Sequence, residues 1–139
     1  MELFRRPPLT TVLIALLSAC LILAGCTSAP LKNGVYPLQP RERVALSGNT
    51  ILTYDSFSDS RCPPNARCIW AGRLSFQFTL EGPEGREEFA LGPDQLVATP
   101  KSLHGARVAL DPASIPPARS SYTTRPGDVI PVTLRISTP

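Results

Sequence analysis

The chain has 139 residues, of which 42% are hydrophobic and 18% are charged, and it contains 16 prolines and 9 glycines. This composition excludes a disordered chain and leaves room for one ordinary domain. A formal net charge of +3 is too small for the strongly basic surface of a nucleic-acid-binding protein, so we expect one turn-rich β domain with no nucleic-acid partner.

The first 25 residues have the features of a secretory signal peptide. Arg5 and Arg6 supply its positively charged start, and residues 9–24 are almost entirely apolar. The strongest apolar stretch, residues 12–24, would be about 20 Å long as a helix, whereas the hydrocarbon core of a bilayer is roughly 30 Å thick. We therefore expect a segment that is cleaved, and not a lasting transmembrane helix.

The signal segment ends in Leu23-Ala24-Gly25-Cys26, which resembles the lipobox of bacterial lipoproteins. The resemblance implies that Cys26 carries the lipid and that several acyl chains hold the protein firmly on a membrane. Thr27 is similar to the outer-membrane sorting pattern of Gram-negative bacteria, which implies a lipid-anchored envelope protein, at the outer membrane and facing the periplasm in such a host. The alternative is an uncleaved anchor, or an ordinary signal peptide in which Cys26 is incidental.

Residues 26–40 are predicted to form a lipidated N-terminus and a flexible tether. They contain Pro30, Pro37 and Pro40 and show no periodic pattern of apolar residues. Residues 41–139 are predicted to form the folded domain.

Short stretches of this domain alternate between apolar and polar residues, as half-buried strands do. The clearest stretch is residues 73–80, and the turn Gly82-Pro83-Glu84-Gly85 predicts a hairpin with residues 86–91. Pro131 lacks a backbone N–H, so the last strand is expected at a sheet edge or beyond a bulge. The predicted fold is all-β, a small antiparallel sandwich or barrel-like domain, with strands at residues 44–46, 51–57, 73–80, 86–91, 106–110 and 130–136.

Two cysteines remain once Cys20 leaves with the signal peptide and Cys26 is lipidated. Export places Cys62 and Cys68 in an oxidising compartment, where a disulfide is the default state. Redox or metal chemistry is the alternative, but a thioredoxin-like site has two residues between its cysteines where this chain has five, and His104 is the only histidine available to a zinc site. We expect a structural disulfide that closes a small loop, no metal site and no cofactor.

The cysteines belong to a dense motif that begins with Asp59-Ser60-Arg61-Cys62-Pro63 and ends with Cys68-Ile69-Trp70-Ala71-Gly72. This motif resembles a family of small, uncharacterised bacterial lipoproteins with the pattern D-S-R-C-P-x(4)-C-x-W-A-G, and the resemblance extends over most of the mature chain. It implies a lipid-anchored β domain and supplies no catalytic residues.

The motif has a structural and a functional interpretation. In the first, it forms a corner in which Arg61 pairs with Asp55 or Asp59 and a buried Trp70 covers the disulfide. In the second, Arg61, Arg67 and Arg73 surround Trp70 in a rigid rim that binds an anion or a carbohydrate.

Catalytic motifs are absent from the sequence: there is no G-x-S-x-G elbow, no H-E-x-x-H and no glycine-rich phosphate loop. The leading hypothesis is a membrane-anchored, non-enzymatic module that binds an envelope protein or polymer. The second is a small-ligand binder or inhibitor-like module that uses the loop from Arg61 to Arg73. The third is an enzyme that uses Asp55 and Asp59 as an acid pair.

Overall fold

The computed structural model of the protein describes residues 29–119 and 127–139. Within these residues the chain is built from β-strands joined by turns and two short 3-10 helices, Lys101–Leu103 and Pro112–Ser114. The predicted all-β class is confirmed. The strands of the described residues are β1 (Gly34–Leu38), β2 (Arg43–Ser47), β3 (Thr50–Asp59), β4 (Leu74–Gly82), β5 (Gly85–Leu91), β6 (Val97–Ala98), β7 (Arg107–Leu110) and β8 (Val132–Ser137).

The described strands form two antiparallel sheets of four strands each. The long-strand sheet has the order β2-β3-β4-β5, and the terminal-strand sheet has the order β1-β8-β7-β6. The predicted hairpin is confirmed, because β4 pairs with β5 from Phe76 opposite Leu91 to Gly82 opposite Gly85. Each sheet presents one apolar face to a shared core, which is the arrangement of a sandwich.

The core follows from the alternation of apolar residues along the strands. In β4, the inward-facing residues Leu74, Phe76, Phe78 and Leu80 are each 3% exposed or less. They join the inward-facing residues of β8 in one hydrophobic cluster. Because side chains alternate between the faces of a strand, the polar residues between them lie on the outer face.

Tyr54 connects the two sheets through the core. Its ring is buried and lies 5.2 Å from the ring of Phe78, and its hydroxyl donates a hydrogen bond of 3.0 Å to the carbonyl of Ile130, just before β8. Burial raises the pKa of the Tyr54 hydroxyl. The phenol therefore remains a neutral donor at physiological pH.

Part of the predicted tether belongs to the fold. β1 (Gly34–Leu38) pairs with β8, and the amide of Lys32 donates a hydrogen bond to Leu46 of β2. The prediction of a flexible tether is therefore wrong for residues 34–38. Pro37 is compatible with this strand because β1 is at a sheet edge, where a strand can do without a ladder N–H on its outer side.

The predicted edge position of the last strand is also wrong. β8 lies between β1 and β7, with a hydrogen-bonded neighbour on each side. Pro131 does not interrupt this ladder because β8 starts at Val132, directly after the proline. A proline before the first residue of a strand removes no ladder hydrogen bond.

β3 and β4 run along the sandwich and connect its two ends, which we call the near end and the far end. At the near end, the β2–β3 turn (residues 47–50) lies beside the β4–β5 turn (residues 82–85), so that a Cβ at Gly82 would lie 3.3 Å from the hydroxyl of Thr50. At the far end, residues 60–73 link Asp59 of β3 to Leu74 of β4. We call these residues the contact loop.

Candidate functional site

The predicted disulfide closes the contact loop. Cys62 and Cys68 are bonded, with their Cα atoms 5.9 Å apart. Pro63, which follows Cys62 in the closed ring, is buried, and the carbonyl of Ala66 lies 3.4 Å from the sulfur of Cys62. The bridge is a structural staple, as the sequence indicated.

Hydrogen bonds fix the base of the contact loop beneath the disulfide. The amide of Ser60 donates to the carbonyl of Arg73 at 2.9 Å, and the amide of Arg73 donates to the hydroxyl of Ser60 at 3.1 Å. Further up, the amide of Cys62 donates to the carbonyl of Ala71 at 3.0 Å. The two arms of the loop are therefore held side by side from the sheet to the disulfide.

Gly72 permits this close approach of the two arms. Its φ is +64°, in the left-handed region, and a Cβ at this position would lie 1.8 Å from the carbonyl oxygen of Ser60. No other residue type fits both the dihedral angle and the space without moving the backbone.

Arg61 holds the contact loop to the rest of the far end. Its guanidinium donates to both carboxylate oxygens of Asp59 at 2.8 Å, and to the carbonyls of Pro116 at 2.9 Å and Pro117 at 3.3 Å. The side chains of Arg61 and Asp59 are 18% and 5% exposed. Arg61 hydrogen-bonds to Asp59 and attracts it, which lowers the pKa of that carboxyl group and raises the pKa of Arg61.

The predicted pairing of Arg61 with an aspartate is confirmed, with Asp59 as the partner. Arg61 therefore stabilises the loop, and its guanidinium N–H groups already donate to protein acceptors and not to a ligand. Asp55 lies elsewhere on β3 and accepts a hydrogen bond from the hydroxyl of Thr79 at 2.7 Å. Each of the two aspartates thus has its own partner.

Trp70 does not cover the disulfide. Its side chain is 82% exposed and that of the preceding Ile69 is 93% exposed, which makes them the two most exposed large apolar side chains of the described residues. The structural interpretation of the motif, in which a buried Trp70 covers the disulfide, is therefore wrong on this point: Trp70 faces solvent and is not among the residues of the hydrophobic core.

Arg67 and Arg73 are exposed on the same loop. Among the residues that the structure describes, no carboxylate lies within salt-bridge distance of either guanidinium. Arg67 and Trp70 border an open depression of about 450 Å³, whose lining residues are Ser60, Arg67, Cys68, Ile69, Trp70 and Gly72. The exposed part of the predicted site is therefore Arg67, Trp70 and Arg73, joined by Ile69, which the sequence analysis did not single out.

Two other groups from the sequence have clear positions. His104 is exposed at the near end, with its Nε2 atom 3.2 Å from a carboxylate oxygen of Glu84. Glu87 accepts hydrogen bonds from the amides of Lys101 and Ser102 and from the hydroxyl of Ser102, which lower its pKa. Across the described ranges, no three His, Cys, Asp or Glu residues are grouped so that they could hold a metal ion.

Cys26 and the signal segment lie outside the described residues. Within residues 29–119 and 127–139, the structure contains no helix long and apolar enough to cross a membrane. Comparisons of the chain with protein-family models, curated proteins and solved structures found no match. The site must therefore be interpreted from its own chemistry.

Proposed function

We propose that the protein is a lipid-anchored protein of the cell envelope whose β-sandwich binds a protein partner through the contact loop, without catalysis. One observation carries the proposal: Ile69 and Trp70, two adjacent large apolar side chains, are 93% and 82% exposed on a loop whose base is fixed. Exposed apolar patches of this kind mark interaction sites in soluble domains.

The energetics of the tip favour binding. Burying a large apolar side chain contributes roughly 1.5–3 kcal/mol, so Ile69 and Trp70 together would supply a substantial share of a micromolar affinity. Tryptophan and arginine are also enriched among the residues that dominate binding energy at interfaces. The disulfide and the Ser60–Arg73 hydrogen bonds reduce the conformational entropy that the loop loses on binding.

The anchoring part of the proposal rests on the sequence. The segment that ends at Cys26 resembles a lipoprotein signal, and the lipid would hold the domain on an envelope membrane. In a Gram-negative host we place it at the outer membrane, facing the periplasm.

Photo-crosslinking in living cells tests the proposal. A photoreactive amino acid is placed in turn at Arg67, at Arg73 and, as a control, at Glu88, which is exposed on the outer face of β5 with 69% of its side chain accessible. We expect a discrete protein adduct from the two loop positions and none from Glu88. Equal labelling from all three positions, or no adduct from the loop, would contradict a specific contact at this site.

A small ligand is the second candidate. The depression of about 450 Å³ beside Arg67 and Trp70 has an aromatic face for a sugar ring and a guanidinium for an anion. Trp70 is the sole tryptophan of the chain, so its fluorescence reports directly on this depression. Titration with oligosaccharides and with inorganic phosphate would change that emission if a small ligand binds, and the change should be lost in Arg67→Ala.

A further inference from the structure

The chain reaches the sandwich at the near end. Ala29 lies beside the β2–β3 turn, where a Cβ at Gly48 would be 3.4 Å from the Cβ of Ala29. A few residues later, the amide of Lys32 donates a hydrogen bond of 2.8 Å to the carbonyl of Leu46 in β2. The described chain is therefore attached to the near end from its first residues.

The contact loop lies at the opposite end. β3 (Thr50–Asp59) has 10 residues and runs from the near end to the base of the loop. At about 3.3 Å per residue, this strand separates the two ends by about 30 Å. Ile69 and Trp70 belong to the contact loop, which follows Asp59 and therefore lies at the far end.

Cys26 precedes Ala29 by three residues. Three residues of fully extended chain span at most about 10 Å. If Cys26 carries the lipid, as the proposed function holds, the near end of the sandwich must stay within about 10 Å of the membrane surface. The link from Cys26 to Ala29 is therefore too short for the domain to turn its far end toward the anchoring membrane.

The outer face of the long-strand sheet opposes a tilt onto the membrane. Arg43 pairs with Glu81 at 2.7 Å, Glu81 lies 3.6 Å from Arg86, and Arg86 pairs with Glu88 at 3.1 Å. Contact between these charged side chains and lipid would cost free energy, because ionised groups would lose their hydration and gain no equivalent hydrogen bonds from the bilayer.

We propose that the lipidated domain stands on its near end and presents the contact loop to a protein about 30 Å from its own membrane. This proposal rests on the proposed function and adds the position and the chemistry of the partner. The partner surface has an apolar pocket that accepts Ile69 and Trp70, and acidic groups around it that pair with Arg67 and Arg73. The anchoring bilayer is not the target of the exposed tryptophan.

The chemistry of the tip favours a protein over an envelope polysaccharide. Ile69 is almost fully exposed, and a branched aliphatic side chain has no stacking face for a sugar ring, whereas the buried centre of a protein interface is apolar and accepts such a side chain. Arg67 and Arg73 have no salt-bridge partner among the described residues, so no carboxylate of residues 29–119 or 127–139 competes with acidic groups of a partner. Charge complementarity of this kind directs the encounter and excludes basic surfaces.

Fluorescence of the lipidated full-length protein in vesicles tests the orientation. The vesicles contain a lipid with a nitroxide quencher on its headgroup, and Trp70 is the sole tryptophan. A second variant, Trp70→Phe with Pro83→Trp, moves the fluorophore to the exposed near-end turn. We expect the nitroxide lipid to quench the emission from position 83 at least twofold and to leave that of Trp70 unchanged. Quenching at Trp70, or no quenching at position 83, would overturn the upright orientation.

Charge reversal tests the chemistry of the partner. The photoreactive amino acid is placed at Ile69, and the yield of the adduct is compared between Arg67→Glu/Arg73→Glu and the matched control Arg67→Lys/Arg73→Lys. We expect the glutamate pair to lower the yield about tenfold, equivalent to about 1.4 kcal/mol, and the lysine pair to retain most of it. An unchanged yield with the glutamate pair would overturn the acidic partner.

The two proposals fail in different ways. A mature protein without lipid mass on Cys26, or no loop adduct in the parent protein, would remove the proposed function itself. A lipidated protein with a normal loop adduct but a quenched Trp70 would leave the proposed function standing and remove the upright orientation.

Discussion

Replacing Arg61 with alanine should destabilise the domain strongly, although Arg61, Arg67 and Arg73 appear equivalent in the sequence. Arg61 is bound to Asp59 and to two backbone carbonyls, whereas Arg67 and Arg73 are exposed on the contact loop. The three alanine variants therefore separate a structural arginine from two surface arginines.

The magnitude follows from burial. Breaking a fully buried ion pair costs about 3–5 kcal/mol, and an exposed pair contributes about 0–1 kcal/mol. The carboxylate of Asp59 is 5% exposed and the side chain of Arg61 is 18% exposed, so this pair is close to the buried limit. The hydrogen bonds from Arg61 to the carbonyls of Pro116 and Pro117 are lost with the same side chain and add to this cost. We expect Arg61→Ala to lower the free energy of unfolding by about 3 kcal/mol, and Arg67→Ala by less than about 0.5 kcal/mol.

Urea denaturation followed by circular dichroism measures these changes. The double variant Asp59→Ala/Arg61→Ala should be more stable than the sum of the single changes predicts, because it leaves no buried unpaired charge. A loss below about 1 kcal/mol for Arg61→Ala, or equal losses for Arg61→Ala and Arg67→Ala, would refute the structural role of Arg61.

The effect of Arg61→Ala should also depend on pH. The pKa of Asp59 is lowered from its ordinary value of 3.8, so the stabilisation from its charged form is complete above that value. It is lost as the pH falls below about 3.8, through the lowered pKa of the folded state. The difference in stability between the parent protein and Arg61→Ala should shrink in that acidic range.

Three further changes have defined outcomes. The disulfide closes a seven-residue ring, so its reduction should lower the free energy of unfolding by roughly 2 kcal/mol in urea titrations. The circular dichroism spectrum of the reduced protein should be nearly unchanged. Loss of the β-sheet signal on reduction would contradict the conclusion that packing of the two sheets holds the fold together. Gly72→Ala should lower the free energy of unfolding by roughly 3 kcal/mol, because its Cβ would overlap the carbonyl of Ser60. Gly85 is also at positive φ but has no atom within 4 Å of an added Cβ, so Gly85→Ala should lower it by only roughly 1–2 kcal/mol. Equal losses for the two variants would exclude the overlap as the cause. Glu87→Gln should lower the free energy of unfolding by about 1 kcal/mol at neutral pH, and Glu88→Gln by much less. Because the pKa of Glu87 is lowered, the difference in stability between Glu87→Gln and the parent protein should decrease as the pH falls below the ordinary value of 4.5.

The local parts of this structure were predictable from the sequence. The alternation of Leu74, Phe76, Phe78 and Leu80 predicts a strand with one buried face, and the Gly-Pro-Glu-Gly turn predicts the hairpin that follows. The disulfide between Cys62 and Cys68 follows from the short distance along the chain and the predicted export. Each of these features depends on residues that are close in sequence, so the pattern contains the information.

The functional surface depended on contacts between distant parts of the chain. Pro116 and Pro117 accept hydrogen bonds from Arg61, more than 50 residues away, and no local pattern around Arg61 indicates them. A tryptophan beside a disulfide is more often buried than exposed, which favours a buried Trp70, but in the structure this side chain is 82% exposed. Which side chains of the motif face solvent depends on how the loop folds against the rest of the domain.

The same distinction applies to the position of the strands. Periodicity identified the stretch before Ser137 as a strand, but β8 lies between β1 and β7 because residues 34–38, which have no clear period, pair with it. Sheet order is the outcome of competition among strand edges for hydrogen-bonding partners and of burial of one face of each strand. Both are properties of the assembled domain, and for that reason the sequence predicted the strands and the disulfide, whereas the tertiary structure determined the sheet order and the exposed tip.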